Sequence, residues 1–245
     1  MSHSNQFSRR NKGHRIVCSG ALFVLALCPI SLHAQNDDMQ KRMTELKESM
    51  AKNKQALAQY TWKEQVSISV KGEEKKVQHY QVKEGPDGKP QKTSLDPTPQ
   101  TQADSGAPRG RLRQRIVEKK KEEYEEYAEQ MKSLVQRYIP PNKDDIQDAF
   151  SKGNVSFTPG TDQVKITIQN YVKTGDSMVI FFNRDKKQIS GIKVASYMDD
   201  PSDAMKLDVQ FGSLPDGTSH VSNTTIEGIR KELTIRMQNS DYRKL

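Results

Sequence analysis

An α+β fold is predicted: an antiparallel sheet preceded by one helix and interrupted by a helical insertion. Three observations carry it. Apolar residues recur at a period of two within residues 60–95 and again after residue 153, the spacing of strands that bury one face. Between those blocks, residues 111–138 change to a helical period. Short turns built on Gly, Pro, Asn and Asp separate the later strands, so consecutive strands are expected to pair as neighbours.

The chain has 245 residues, with 39 Lys+Arg against 31 Asp+Glu and only 33% hydrophobic residues. One or two domains fit that length. A polytopic membrane protein is excluded, because one N-terminal stretch alone is apolar enough to enter a bilayer. Two cysteines cannot build a zinc-finger or disulfide scaffold.

Residues 1–34 have the organisation of a secretory signal peptide. Arg9, Arg10, Lys12 and Arg15 precede the apolar run Ile16–Leu32, which Pro29 interrupts near its end. Ala34 offers the small residue at a cut site. The chain is therefore expected to be exported to the periplasm and cleaved after Ala34; an uncleaved N-terminal anchor is the alternative. A lipidated Cys28 fits poorly behind the bulky Leu27, and twin-arginine export fits poorly with Lys12 and Gly13 after the arginine pair. Cleavage removes Cys18, Cys28, four basic residues and no acids, taking the net charge from +8 to +4. Without thiols, residues 35–245 must draw their stability from a core. They are expected to form one α+β domain, with a flexible linker at 96–110 and a helical insertion at 111–152.

Residues 37–59 are expected to be helical, with Met39, Met43, Leu46, Met50 and Leu57 on one face and Asp37 and Asp38 at its positive end. From Tyr60 the period becomes two, with Trp62 on the apolar side. Val66, Ile68 and Val70 alternate with Gln65, Ser67 and Ser69, and Glu64 alone breaks the apolar side. Lys76–Lys83 and Gln91–Leu95 complete a three-stranded meander, joined by turns at Lys71–Glu74 and Gly85–Gly88. The linker 96–110 has no large apolar residue between its prolines and cannot offset the entropy of ordering. Helix 111–138 follows, with Leu112, Ile116, Tyr124, Tyr127, Met131, Leu134 and Tyr138 as its stripe. Its charges oppose the helix dipole, basic first and acidic later. Asn142 or Asp144 caps a shorter helix that Gly153 closes. About seven strands then run to Met237.

No catalytic set emerges, and no enzymatic activity is expected. There is no cysteine nucleophile in the cleaved chain, no Gly-x-Ser-x-Gly elbow, no phosphate loop and no dinucleotide fingerprint. His79 and His220 are too far apart in sequence to suggest a metal site and are expected on the sheet surface; no metal or cofactor is expected. Asp199 and Asp200 lack the spacing of a calcium loop. A carboxylate-pair hydrolase stays open, because its acids meet only in the fold. In Arg109–Arg115, arginines alternate along the chain, which suits lipid phosphates better than nucleic acid, since no aromatic residues interleave them. Arg111, Arg113 and Arg115 are the expected contacts to an anionic headgroup at a membrane surface.

The order of leader, helix, strands, helical insertion and long meander resembles the LolA-like superfamily of periplasmic lipoprotein carriers. The residues that carry the resemblance are Leu57–Trp62, where helix gives way to strand, the turn Pro86–Lys89, and Leu214–Thr218 between late strands. It implies an incomplete β-barrel, a strongly curved sheet lined by apolar side chains and covered by helices, which holds a lipid or lipoprotein acyl chain without catalysis. Residues expected to line the groove are Trp62, Val66, Ile68, Tyr80, Val164, Ile166, Ile168, Val179 and Phe181, with Tyr124, Tyr127, Met131 and Leu134 as its cover. The alternative is an envelope interaction scaffold whose sheet is filled by its own side chains.

Overall fold

The computed structural model describes residues 44–45, 48–85, 89–97 and 111–245. The expected leader, the first-helix residues Asp37, Asp38, Met39, Met43 and Leu46, the turn tip 86–88 and linker residues 98–110 lie outside the described residues. Residues 48–57 are helical and form α1, with Met50 against the core. Then come β1 (Tyr60–Val70), β2 (Glu73–Glu84), β3 (Pro90–Ser94), α2 (Arg111–Val135) and α3 (Lys143–Ser151). The later strands are β4 (Val155–Pro159), β5 (Gln163–Gln169), β6 (Ser177–Asn183), β7 (Gln188–Tyr197), β8 (Ala204–Ser213), β9 (Ser219–Gly228) and β10 (Leu233–Lys244).

The ten strands among the described residues belong to one antiparallel sheet in the order β3-β2-β1-β10-β9-β8-β7-β6-β5-β4. The meander β4–β10 is the one that the late turns predict. What the local pattern does not contain is the seam, where β1 pairs with β10 from Tyr60↔Lys244 to Val70↔Leu233 and joins the two meanders. The sheet is not closed into a barrel: β3 and β4 are its edges. Both are five residues long and carry a proline, Pro90 and Pro159, which limits edge-to-edge pairing.

Register sorts the side chains into two faces, because directly opposed residues share a face. One face carries Val70, Ile68, Val66, Glu64 and Trp62 of β1, opposite Leu233, Ile235, Met237 and Asn239 of β10. It continues through Ile226, Leu207, Val194, Met178, Ile168 and Val155. This is the covered face. Its β5–β9 part is packed shut: Ile168, Met178 and Met205 are wholly buried, together with Ile180, Ile192, Leu207 and Val209.

Two buried Tyr–Asp hydrogen bonds fasten α2 across this face. Tyr127 donates to Asp203 at 2.7 Å, and Tyr138 donates to Asp176 at 2.6 Å. The spacing of eleven residues is close to three helical turns. Regular helix stops at Val135, three residues before the predicted end. The chain then tightens, with the amides of Arg137 and Tyr138 bonding to Leu134 and Val135 carbonyls three residues back, so that Tyr138 reaches Asp176. Asn142 rather than Asp144 caps α3, accepting from the Asp144 amide, and Gly153 follows its end at φ +74°.

Candidate functional site

The covered face is not filled evenly. Over β1 and the adjoining half of β10, Val66, Ile68, Val70 and Met237 are only half-buried against the core. At the end of the sheet where α1 lies, Phe182, Ile189, Phe211 and Val221 are likewise half-buried. The helix is tied there by two contacts. Ser49 donates to the Lys187 carbonyl at 2.5 Å, and Asn53 bonds both backbone groups of Ser219. Apolar surface thus remains partly exposed along β1 and β10.

Polar side chains close one end of this strip. Glu64, the acid that interrupts the apolar alternation of β1, is 7% exposed and pairs with Lys92 of β3. Asn239 and Tyr80 oppose Glu64 on the flanking strands. Trp62, also 7% exposed, stacks on Tyr242 with ring centroids 5.5 Å apart. Tyr242 in turn lies 4.2 Å from the His220 ring and donates to the Val221 carbonyl at 2.9 Å. Burial pushes the Tyr242 phenol well above its ordinary pKa, so it stays a neutral donor. The cluster occupies the place where β10 runs on past its last pairing with β9, at Gln238↔Asn223. Three buried atoms here and nearby, Trp62 Nε1, Asn239 Oδ1 and Glu84 Oε2, meet no hydrogen-bond partner among the described residues. They amount to one donor and two acceptors, and leaving such a group unpaired costs about 1–3 kcal/mol each.

The structure brings together some of the predicted residues and separates others. Trp62, Val66, Ile68 and Tyr80 share the covered face at this strip. Val164, Ile166 and Ile168 are on the same face but lie in the packed core, between 0% and 6% exposed. Tyr127, Met131 and Leu134 are the buried contact stripe of α2, and Tyr124 is half-buried beside it. Val179 and Phe181 are a correction. Opposite Thr167 and Lys165, they stand on the other face, while Met178, Ile180 and Phe182 point with Val164–Ile168. A continuous apolar run in β6 hid the alternation. Arg111 and Arg113 fall in the first turn of α2, their side chains outside the described residues, and Arg115 is exposed.

Glu64 was legible as an anomaly; its partner Lys92, and the residues Asn239, Tyr242 and Glu84, carried no sequence signal. His79 is exposed and pairs with Asp96 at 2.9 Å, while His220 is half-buried against Tyr242 rather than lying free on the surface. Asp200 closes its own loop, accepting from the amide and hydroxyl of Ser202, which lowers its pKa. A separate, polar pocket of about 360 Å³ lies between α3 and residues 170–174, lined among others by Asp145, Asp148, Lys152 and Lys173. Its lysines are engaged: Lys152 pairs with Asp148, and Lys173 donates to the carbonyls of Tyr197 and Met198.

No family model matches the sequence, and no curated protein matches it. Among solved structures, the chain is similar to a DUF1329 family protein from Desulfovibrio piger ATCC 29098, known from a crystal structure at 1.75 Å resolution. The TM-score is 0.43 and the identity 13%, over 84% of this chain and 92% of that one.

Proposed function

We propose that this is an exported, non-enzymatic protein that binds one acyl chain of a lipid or lipoprotein along β1 and β10. A single observation carries the proposal: a half-buried apolar strip, Val66, Ile68, Val70 and Met237, runs into buried polar atoms that have no partner among the described residues, Trp62 Nε1 and Asn239 Oδ1. An amphiphile answers both needs at once. Its hydrocarbon removes apolar surface from water at roughly 25 cal/mol per Å², its ester or carboxylate oxygen accepts from the Trp62 N–H, and a hydroxyl or amide N–H of its head group donates to Asn239 Oδ1. The resemblance to LolA-like carriers supports the same assignment. It adds the inference that the sheet arches around the chain as an incomplete barrel. The register shifts in β1, β6–β7 and β8–β9 are compatible with that bending.

An envelope scaffold without a ligand is the second reading. It is favoured by how completely α2 and α3 pack over β5–β9, where Ile168, Met178 and Met205 are at 0% exposure. One experiment separates the two. Residues 35–245 are expressed and extracted with organic solvent, the extract is examined by mass spectrometry, and the protein is titrated with a fatty acid while the fluorescence of Trp62, the single tryptophan, is followed. Co-purified lipid and a saturable change are expected for the carrier. Neither would appear for the scaffold.

A further inference from the structure

The stripe that fastens α2 to the sheet continues past the sheet. Its last anchored point among the described side chains is Glu123, which pairs with Lys231 of the β9–β10 turn; Lys231 also lies over the Tyr124 and Tyr127 rings at 5.7 and 5.8 Å. N-terminal to that point every described side chain from Arg115 to Glu122 is exposed, including two large hydrophobics, Ile116 at 57% and Val117 at 67%. At about 100° per residue, Ile116, Val117, Lys120 and Lys121 fall within one side of the helix, with Glu118 and Glu122 opposite. From Arg109 to Lys121 the chain carries seven basic residues and one acid. Exposed apolar residues set among lysines and arginines form the face of a helix that lies in a bilayer interface, the apolar groups entering the acyl boundary and the long basic side chains reaching the headgroups.

We propose that the N-terminal half of α2 docks this protein on an anionic lipid surface. Charge selects the occupant: the overhang is cationic, and lipid phosphates provide the complementary field within a Debye length. Arg111, Arg113 and Arg115 belong to the same run. The docking surface is separate from the acyl strip, since none of its residues is on β1 or β10.

The test uses the full chain and vesicles of phosphatidylcholine alone or with one third phosphatidylglycerol, in co-sedimentation at low and high salt. Because Ile16–Leu32 is itself apolar, the readout is the change made by substitutions in α2. Preferential binding to the anionic vesicles is expected, lost in high salt and in the triple variant Lys119→Glu, Lys120→Glu, Lys121→Glu. In the double variant Ile116→Ser, Val117→Ser it is expected to weaken about tenfold, the loss when two partly inserted aliphatic side chains leave the interface. Unchanged binding in both variants overturns the proposal. Loss in the lysine variant alone also overturns it, because the surface would then be a general polyanion site of the kind a nucleic acid or acidic protein uses. All five positions are exposed, so unchanged urea transitions verify that the variants fold, and an unchanged fatty-acid titration keeps failure here distinct from failure of the acyl-binding proposal.

Discussion

Asn53 grips the backbone of Ser219 at two points: its Oδ1 accepts from the Ser219 amide at 2.6 Å, and its Nδ2 donates to the Ser219 carbonyl at 2.8 Å. A side-chain amide here does what a neighbouring strand would do. Ser219 opens β9, and this end of β9 has already parted from β10, so α1 supplies the pairing that the strand lacks. Replacing Asn53 by Ala leaves a buried amide and carbonyl unpaired and is expected to cost about 1–3 kcal/mol. Asp keeps the acceptor and loses the donor, so Asn53→Asp is expected to fall between. Urea unfolding gives the ranking. Faster amide exchange over residues 48–57 in both variants would locate the loss in α1; equal exchange would contradict it.

Gly228 sets how closely α2 approaches the sheet. A Cβ at that position falls 2.5 Å from Tyr127 Cε1 and 2.9 Å from Met131 Sδ. Tyr127 cannot swing aside without breaking its bond to Asp203. Gly228→Ala is therefore expected to destabilise by about 1–3 kcal/mol through overpacking, and Gly228→Ala with Tyr127→Phe by less than the sum of the two singles, because the freed ring can move. Additive urea-unfolding energies would refute the contact.

Asp176 is wholly buried and its carboxylate accepts four hydrogen bonds, from the Tyr138 hydroxyl and from the amides of Tyr171, Val172 and Lys173. Tyr138→Phe removes one of the four and leaves the loop intact, for a cost of about 1–3 kcal/mol. Asp176→Ala strands three amides and leaves the Tyr138 hydroxyl only its 2.8 Å contact with Ser196 Oγ, and is expected to cost more than Tyr138→Phe by a clear margin. Thermal unfolding of the two variants gives the order; the reverse order would mean that the loop 171–173 holds itself.

How much of this was legible follows from which forces are local. Alternation and turn residues announced β5, with Val164, Ile166 and Ile168 on one side, because strand burial and tight turns are written within a few residues. The second half of β10 was missed. Past Met237 it reads Gln-Asn-Ser-Asp, yet it is strand through Lys244 because β1 supplies its partner from more than 170 residues away. The candidate site sits on that same seam, so its members Asn239 and Tyr242 could not be read where the strand itself could not. Val179 and Phe181 were misassigned for the opposite reason: in an apolar run, hydrophobicity alone does not tell one face from the other.

Acid stability offers a test at the same end of the molecule. The Tyr60 hydroxyl, 2.6 Å from Asp216, and the Thr218 amide hold the Asp216 carboxyl down at about 2. A folded-state pKa below the unfolded value means that the stabilisation is present above pH of roughly 4 and is lost as pH falls toward about 2. In Tyr60→Phe the Asp216 pKa is expected to rise toward the ordinary carboxylate range. Carboxyl carbon chemical shifts followed by NMR between pH 1.5 and 6 give both values directly, and an unchanged midpoint would show that the turn 215–218 alone sets it.

Trp62 separates packing from recognition. Its ring stacks on Tyr242, while its N–H has no partner among the described residues. Phenylalanine keeps an aromatic ring on Tyr242 and deletes the unpaired donor, so Trp62→Phe is expected to leave urea stability within about 1.5 kcal/mol of the parent, as for a modest core swap. If the N–H serves an amphiphile's polar group, affinity for a fluorescent fatty acid falls about five- to tenfold in the same variant, the worth of one hydrogen bond. Val66→Ser would lower affinity likewise, through lost apolar contact. A variant set that changes stability and never affinity would place these residues in the packing of the β1–β10 seam and take the acyl chain off this strip.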